Sequence, residues 1–278
     1  MKKIITTLLL ILGIGWSYGQ QINVATFNIR MKNDGDVGNL WKDRYTHLTD
    51  LIKFHEFEIF GVQEAFKEQL NDMSAKLPNF KYVGVGRDDG AEKGEHSSIF
   101  FDTRRFEVGK SGTFWLSPND TKSPNKGWDA ALPRICTWGI FKDKKSGKKF
   151  IFMNTHFDHV GIEARRESAK LILEKAKEFA KDLPLILTGD FNVDETNEAY
   201  FTLARSGVVQ DTHELAEIVY EPNSTFNSFG KSIKEKGRID HIFITKPFKV
   251  HKYGILTDTS MGKFPSDHFP VYVELSWK

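Results

Sequence analysis

Leu185-Ile186-Leu187-Thr188-Gly189-Asp190-Phe191-Asn192 is the stretch on which the reading of the fold turns. Its first four residues make an apolar run of strand length, and a carboxylate and a carboxamide follow two residues apart. Side chains alternate across a strand with period two, so Asp190 and Asn192 are expected to point the same way. Gly189 is expected to let the backbone turn out of the sheet and offer both groups to a cleft. Other strand-like runs also close on polar groups: Asn28 in Thr-Phe-Asn-Ile-Arg, Glu64 in Val-Gln-Glu, His156 in Asn-Thr-His, and Asp267-His268 in Ser-Asp-His.

Working outward, short apolar runs read as strands at 22–29, 58–62, 82–85, 98–101, 134–141, 150–155, 185–188, 239–244 and 270–275. Between them, 41–54 places Tyr45, Leu48, Leu51 and Ile52 on one helical face. A second helix is expected over 162–180, where Ala169, Ile172, Leu173, Ala176 and Phe179 recur at 3.6-residue spacing. Helices interleaved with strand pairs fit a layered α/β protein, with two sheets packed face to face and helices outside. The stretch 112–133 carries three prolines and two tryptophans, Trp115 and Trp128, and is expected to be a long loop. Nothing repeats and no low-complexity linker intervenes, so one domain is expected over 21–278.

Residues 1–20 read as a signal peptide: Lys2 and Lys3 precede an apolar stretch, and Ser17-Tyr18-Gly19 supplies small residues before a cleavage point. Export to the periplasm or the exterior is expected. Cys136, the only cysteine, reads as a small core hydrophobe, and no intrachain disulfide is possible. The chain has 39 basic and 37 acidic residues, so without Lys2 and Lys3 the two counts are equal. A protein that grips many phosphates draws most of its affinity from surplus Lys and Arg. Neutral balance favours a small or medium-sized phosphoester over a long nucleic acid, with no membrane insertion and a monomer expected. The basic run 144–149 sits at a hairpin turn and reads as a solvated surface.

Phosphoester hydrolysis needs a cation to neutralise phosphoryl oxygens, a base to orient water, and donors that meet charge in the transition state. Asn28, Glu64, Asp190, Asn192 and Asp267 are hard oxygen donors suited to Mg²⁺, and no Cys accompanies them, which speaks against structural zinc. His156 and His268 stand where they could donate to phosphate.

Thr-Phe-Asn-Ile-Arg (26–30), Gly-Val-Gln-Glu (61–64), Asn-Thr-His (154–156), Gly-Asp-Phe-Asn (189–192), Arg-Ile-Asp-His-Ile (238–242) and Ser-Asp-His-Phe-Pro-Val (266–271) occur in an order that resembles the endonuclease/exonuclease/phosphatase superfamily. The resemblance spans nearly the whole chain after the leader. It implies a four-layer α/β/β/α sandwich with two mixed sheets, and a metal-dependent phosphoric ester hydrolase using Mg²⁺ or Mn²⁺. By the same resemblance, Glu64 would be the principal metal ligand, with Asn28 and Asp267 assisting. Asp190 would be the base and Asn192 a phosphate contact; His156 and His268 would stabilise the transition state. Asp240 would place water or hold a catalytic histidine, and Arg134 would bind phosphate. Arg30 departs from members that carry an acidic metal ligand there, which puts a second metal in doubt and makes Arg30 a candidate for substrate contact. Trp128 and His159 are further candidates for substrate contact.

Three readings follow for function. The first is an exported Mg²⁺-dependent phosphoesterase acting by metal-assisted, in-line attack of water on a phosphodiester or phosphomonoester. The alternatives are an exported DNA or RNA nuclease that scavenges nucleotides, and a non-catalytic binding module on the same scaffold.

Overall fold

The computed structural model describes residues 21–278, so the expected signal peptide lies outside the described residues. In chain order the first half comprises β1 (Gln21–Asn28), α1 (Trp41–Phe54), β2 (Ile59–Gln63), α2 (Lys67–Lys76), β3 (Phe80–Val83), β4 (Ile99–Asp102), β5 (Phe106–Trp115), β6 (Ile135–Asp143) and β7 (Lys149–His156). The second half comprises α3 (Ile162–Ala180), β8 (Leu185–Asp190), α4 (Glu198–Ala204), β9 (Gln210–Asp211), α5 (Thr212–Leu215), β10 (Ile218–Tyr220), β11 (Asp240–Ile244), β12 (Phe248–Ile255) and β13 (Val271–Trp277). They form two mixed sheets, ordered β10-β12-β13-β1-β2-β4-β3 and β5-β6-β7-β8-β11-β9.

Alternation along each strand separates the layers. In β1, Ile22 and Val24 face the other sheet, while Ala25 and Phe27 face the helices. In β8, Ile186 faces inward and Leu185 and Leu187 outward. Leu48, Leu51, Leu70 and Met73 of α1 and α2 cover Phe27, Phe60 and Phe100 on one side. Ala169, Ile172, Tyr200 and Leu203 of α3 and α4 cover Met153, Leu187 and Phe243 on the other. Each fully buried large side chain contributes about 1.5–3 kcal/mol over an exposed one. The four-layer sandwich expected from the sequence is the observed architecture.

The layer between the sheets changes character along the strands, and that gradient positions the site. On β7 the inward positions run Phe150, Phe152, Asn154, His156; on β8 they run Ile186, Thr188, Asp190; on β1 they run Ile22, Val24, Thr26, Asn28. β11 runs antiparallel to β8, pairing Asp240 with Asp190, so its inward series ends on Asp240 at the same edge. Apolar residues thus give way to a belt of short polar ones and then to titratable groups. The belt is closed by hydrogen bonds. Gln63 Nε2 donates to Thr26 Oγ1 at 2.9 Å and to Asn154 Oδ1 at 2.7 Å, and Thr188 Oγ1 donates to Asn154 Oδ1 at 3.0 Å. Asn154 Nδ2 donates to the carbonyls of Val62 and Ser98. A Cβ at Gly61 would overlap Asn154 and Thr188, so glycine there lets the two sheets approach.

Three local expectations change. Gly189 lies within β8, and a Cβ there would come 2.5 Å from the Thr155 carbonyl; its role is close strand contact, not a turn. The expected loop 112–133 begins later, because β5 runs on to Trp115. β5 and β12 escape a simple period-two reading because each pairs through a register shift, between Val108 and Ser111 and between Val250 and Lys252, and a bulge inverts the pattern.

Candidate active site

The titratable ends of the inward series meet at one edge of the sandwich, in a cavity of about 530 Å³. Its walls include Glu64, His156, Asp190, Asn192, Asp267 and His268, together with Arg30, Arg134, His159 and Glu95. Met31, Leu132, Phe226 and Ile239 supply apolar surface. Trp128 is half-buried on its loop and is not among the cavity residues. Trp115 is buried, and its indole N–H donates to the Arg87 carbonyl at 2.8 Å, pinning the loop that carries Glu95.

Three cleft residues stand just past strand ends in the left-handed backbone region: Arg30 (φ 55°), Glu64 (φ 63°) and Asn192 (φ 52°). A non-glycine residue held there costs on the order of 1–3 kcal/mol, and surrounding contacts must enforce it. They do. Arg30 N–H donates to Asn28 Oδ1 at 3.0 Å, Met31 N–H to Glu64 Oε2 at 3.1 Å, and Asn192 N–H to Asp190 Oδ1 at 2.9 Å. Asn192 therefore reaches the cleft through a sharp turn and not by strand alternation.

Asn28 joins two carboxylates. Its amide nitrogen donates to Glu64 Oε1 at 3.0 Å and to Asp190 Oδ2 at 2.9 Å, while its oxygen accepts from Arg30 N–H. Asn28 thus fixes both acids, and its oxygen keeps a second lone pair beyond the Arg30 bond. Asn192 Nδ2 lies 3.1 Å from His156 Nε2 and donates to the Phe157 carbonyl at 3.0 Å. His156 Nε2 is 3.5 Å from Asp190 Oδ2, and its Nδ1 is 3.8 Å from Glu95 Oε2. Glu95 is held by a two-pronged ion pair with Arg87, at 2.8 and 2.9 Å. On the other side, His268 Nδ1 bonds Asp240 Oδ2 at 2.9 Å, and its Nε2 is 3.8 Å from Asp190 Oδ2. The Phe226 ring meets the His268 ring edge-on at 5.1 Å.

These contacts divide the two histidines. Burial, reinforced by Arg134 and Arg87, holds the His156 pKa well below its ordinary value, so the ring is neutral. Burial would lower His268 too, but the Asp240 carboxylate and then Asp190 outweigh it and raise its pKa to about 10. Asp190 is pushed up to about 7, first by burial and then by the charge of Asp240. A carboxylate poised near neutrality, beside an imidazolium, can take a proton from water and keep a donor at hand for developing negative charge.

Two sets of groups could hold a cation. Asp190, Asp240 and His268 each offer a ligand atom, all within 4.8 Å of one another. A protonated His268 has no lone pair to offer an ion, and it offsets one of the set's two carboxylate charges. Glu64 and Asp267 form the other set, and both face the Arg30 guanidinium, at 3.8 and 3.7 Å. Burial, with the nearby Glu64 charge, raises the Asp267 pKa. Two hard carboxylates facing one positive charge fit a divalent oxygen-seeking ion. When bound, such an ion supplies charge neutralisation on phosphoryl and leaving-group oxygens.

Arg134 is almost fully buried, with Nε 3.2 Å from Asp158 Oδ2 and Nη2 2.9 Å from His159 Nδ1; its Nη1 has no partner among the described residues. Asp158 thus anchors Arg134, and also accepts from the Val160 and Gly161 amides. From sequence, the polar, glycine-punctuated loop carrying Arg87 and Glu95 reads either as a substrate grip or as a solvated turn, and Phe226 was missed. They sit on loops, with no strand-end motif to mark them.

The chain resembles known proteins along most of its length. A profile of the Endonuclease/Exonuclease/phosphatase family matches residues 25–268. A mannosyl-6-phosphatase of Bacteroides thetaiotaomicron is 48% identical, with a TM-score of 0.89, covering 92% of this chain and 100% of that one. Another family protein of the same organism is 47% identical, with a TM-score of 0.90, covering 93% of this chain and 98% of that one. The catalytic domain of human Nocturnin shares the fold at 20% identity, with a TM-score of 0.74, covering 93% of this chain and 94% of that domain. By profile, identity and fold, the chain belongs to the endonuclease/exonuclease/phosphatase family, whose members hydrolyse phosphoesters.

Proposed function

We propose that this protein is an exported, Mg²⁺-dependent phosphomonoesterase that releases phosphate from a 6-phosphorylated hexose, mannose 6-phosphate first among them. The observation that carries the reading is the charge pairing of the cleft. Its guanidinium groups are each matched to a carboxylate: Arg87 to Glu95, Arg134 to Asp158 and Arg30 to Asp36. Among the described residues these guanidinium groups are thus already engaged, which argues against a polyanion track built on them, and a cavity of about 530 Å³ is of the size that small ligands occupy. The substrate class is supported by the 48% identical neighbour, a mannosyl-6-phosphatase.

In this reading, Glu64 and Asp267 hold Mg²⁺, and Asn28 keeps Glu64 and Asp190 in register. Asp190 accepts the proton of the attacking water. Asn192 and His156 contact a phosphoryl oxygen, and the His268 imidazolium faces developing charge with Asp240 holding its proton. The apolar wall of Met31, Leu132, Phe226 and Ile239 takes the carbon face of the sugar.

The test uses protein stripped with EDTA and reloaded with Mg²⁺, and reads phosphate release from mannose 6-phosphate and glucose 6-phosphate, p-nitrophenol release from bis-p-nitrophenyl phosphate, and strand cleavage of plasmid DNA. Monoester turnover that is abolished in Asp190→Asn is the expected result. Faster cleavage of DNA or the diester, or turnover indifferent to Asp190, overturns it. Export is tested by the mass of the chain recovered outside the inner membrane; an unprocessed, retained chain contradicts it.

A further inference from the structure

The Arg30 guanidinium faces both candidate metal ligands without bonding either. Its Nη1 is 3.8 Å from Glu64 Oε2 and its Nε is 3.7 Å from Asp267 Oδ2, distances beyond a direct hydrogen bond. The same guanidinium makes a two-pronged bond to Asp36, Nε to Oδ2 at 3.0 Å and Nη2 to Oδ1 at 3.2 Å. Its backbone is equally fixed. Besides the amide bond to Asn28, its carbonyl accepts from Arg44 Nη2 at 2.7 Å and from Gln69 Nε2 at 3.0 Å. A side chain anchored at so many points is placed, not adrift.

We propose that Arg30, latched by Asp36, acts as a resident counter-charge that limits the Glu64–Asp267 cradle to a single divalent ion. The proposal rests on the metal-dependent reading above. Held back from the two carboxylates, the guanidinium leaves their lone pairs open to one incoming ion. It still presents a positive charge that a second ion would have to approach closely, where like charges repel strongly in a partly buried site. Asp36 sets this balance: it draws the guanidinium toward itself and prevents it from closing onto the cradle as a competing ligand.

Two variants should therefore shift metal affinity in opposite directions. Arg30→Met removes the repelling charge. The first ion should bind about tenfold more tightly, or a second ion should appear. Asp36→Asn keeps the guanidinium but frees it to bond Glu64 and Asp267, so binding should weaken by about tenfold. A merely structural role for the Arg30–Asp36 pair would weaken both.

The experiment uses the EDTA-stripped chain and Mn²⁺ as the probe, with free Mn²⁺ followed by electron paramagnetic resonance and stoichiometry by elemental analysis. Circular dichroism confirms that each variant is folded, and Arg30→Lys, which retains the charge, should keep one ion per chain. One Mn²⁺ per wild-type chain with opposite shifts in the two variants is the expected result. Two ions on the wild type, or an Arg30→Met variant with one ion at unchanged affinity, overturns the proposal and leaves the metal-dependent reading intact. No Mn²⁺ on the wild type overturns both. Should Arg30→Met not fold, unchanged affinity in Asp36→Asn alone overturns the proposal.

Discussion

Strand β2 has a glutamate at each end, and the two ends of the sandwich treat buried carboxylates in opposite ways. Before the strand, Glu58 bonds Arg105 Nη1 at 2.6 Å, and Arg105 Nε lies 3.4 Å from Asp143. Burial pushes Asp143 up, but the Ser146 hydroxyl, Arg105 and the Lys145 amide outweigh it and hold its pKa below the ordinary value. Asp102 is likewise held down against burial by Arg104. After the strand, at the Glu64 end, the balance reverses: burial leads in raising Asp190, Asp267 and Glu95. Cavities of similar size open at both ends, about 440 and 530 Å³. Neither a pocket nor a buried acid is therefore enough to mark a site. The informative difference is that one end has its charges satisfied by its own side chains, and the other keeps carboxylates whose charge calls for a cation or a proton.

The comparison can be broken by exchanging the expected consequences. Asp190→Asn should lower kcat/KM by about 10³-fold or more, because the proposed base is lost, while Mn²⁺ binding, read by equilibrium dialysis, stays largely intact. Glu64→Gln should weaken metal affinity instead; an equal loss in both variants would erase the division of labour. At the other end, Arg105→Ala should destabilise the fold by about 3 kcal/mol, since the buried Asp143 and the half-buried Glu58 lose their shared partner. Urea unfolding reads this, and a kcat altered in the folded variant would mean that the two ends are coupled.

Asp240→Asn should lower kcat/KM by about 10²-fold and shift the alkaline limb of the pH profile. His268 keeps its proton up to about pH 10 largely through Asp240. Removing that carboxylate should bring the limb down toward neutrality, and an unmoved limb would show that His268 does not need its proton for turnover.

The smallest effect is on stability without metal. The folded-state pKa of Asp190 is about 7, above the roughly 3.9 of an unfolded aspartate. The native chain therefore binds the proton more tightly, and wild-type stability falls as pH rises from about 4 through about 7. In EDTA, Asp190→Asn should melt progressively higher than wild type across that window. A melting-temperature gain independent of pH would show that Asp190 is not strained by burial.

Much of the site was legible because strands announce their own ends. Asn28, His156 and Asp190 each close a strand-like run, which marked them before any contact was known, whereas Asp240 was marked only by the family resemblance of Arg-Ile-Asp-His; in the fold all four continue the inward-facing series of their strands. Glu95 was not legible in this way. It lies in the loop between β3 and β4, and only Trp115, Arg87 and the neighbouring sheet bring it to His156. Asp36 is equally ordinary in sequence, one acid in a polar loop, until Arg30 turns back to it through a left-handed backbone. Asn28 stood out in the sequence, yet its bridging of Glu64 and Asp190 depends on which of its two ends meets the Arg30 amide.

By itself the sequence determined the alternation of apolar and polar side chains, the helical faces that cover the sheets, and the residue types at the strand ends. These follow from local geometry, which repeats every two or 3.6 residues whatever the rest of the chain does. Only the tertiary structure decided that Asp190 would feel Asp240, that His268 would stay protonated while His156 would not, and that Arg30 would stand off from Glu64 and Asp267. Those outcomes depend on distances between residues far apart in the chain and on burial shared by both sheets, and electrostatic interaction varies with both.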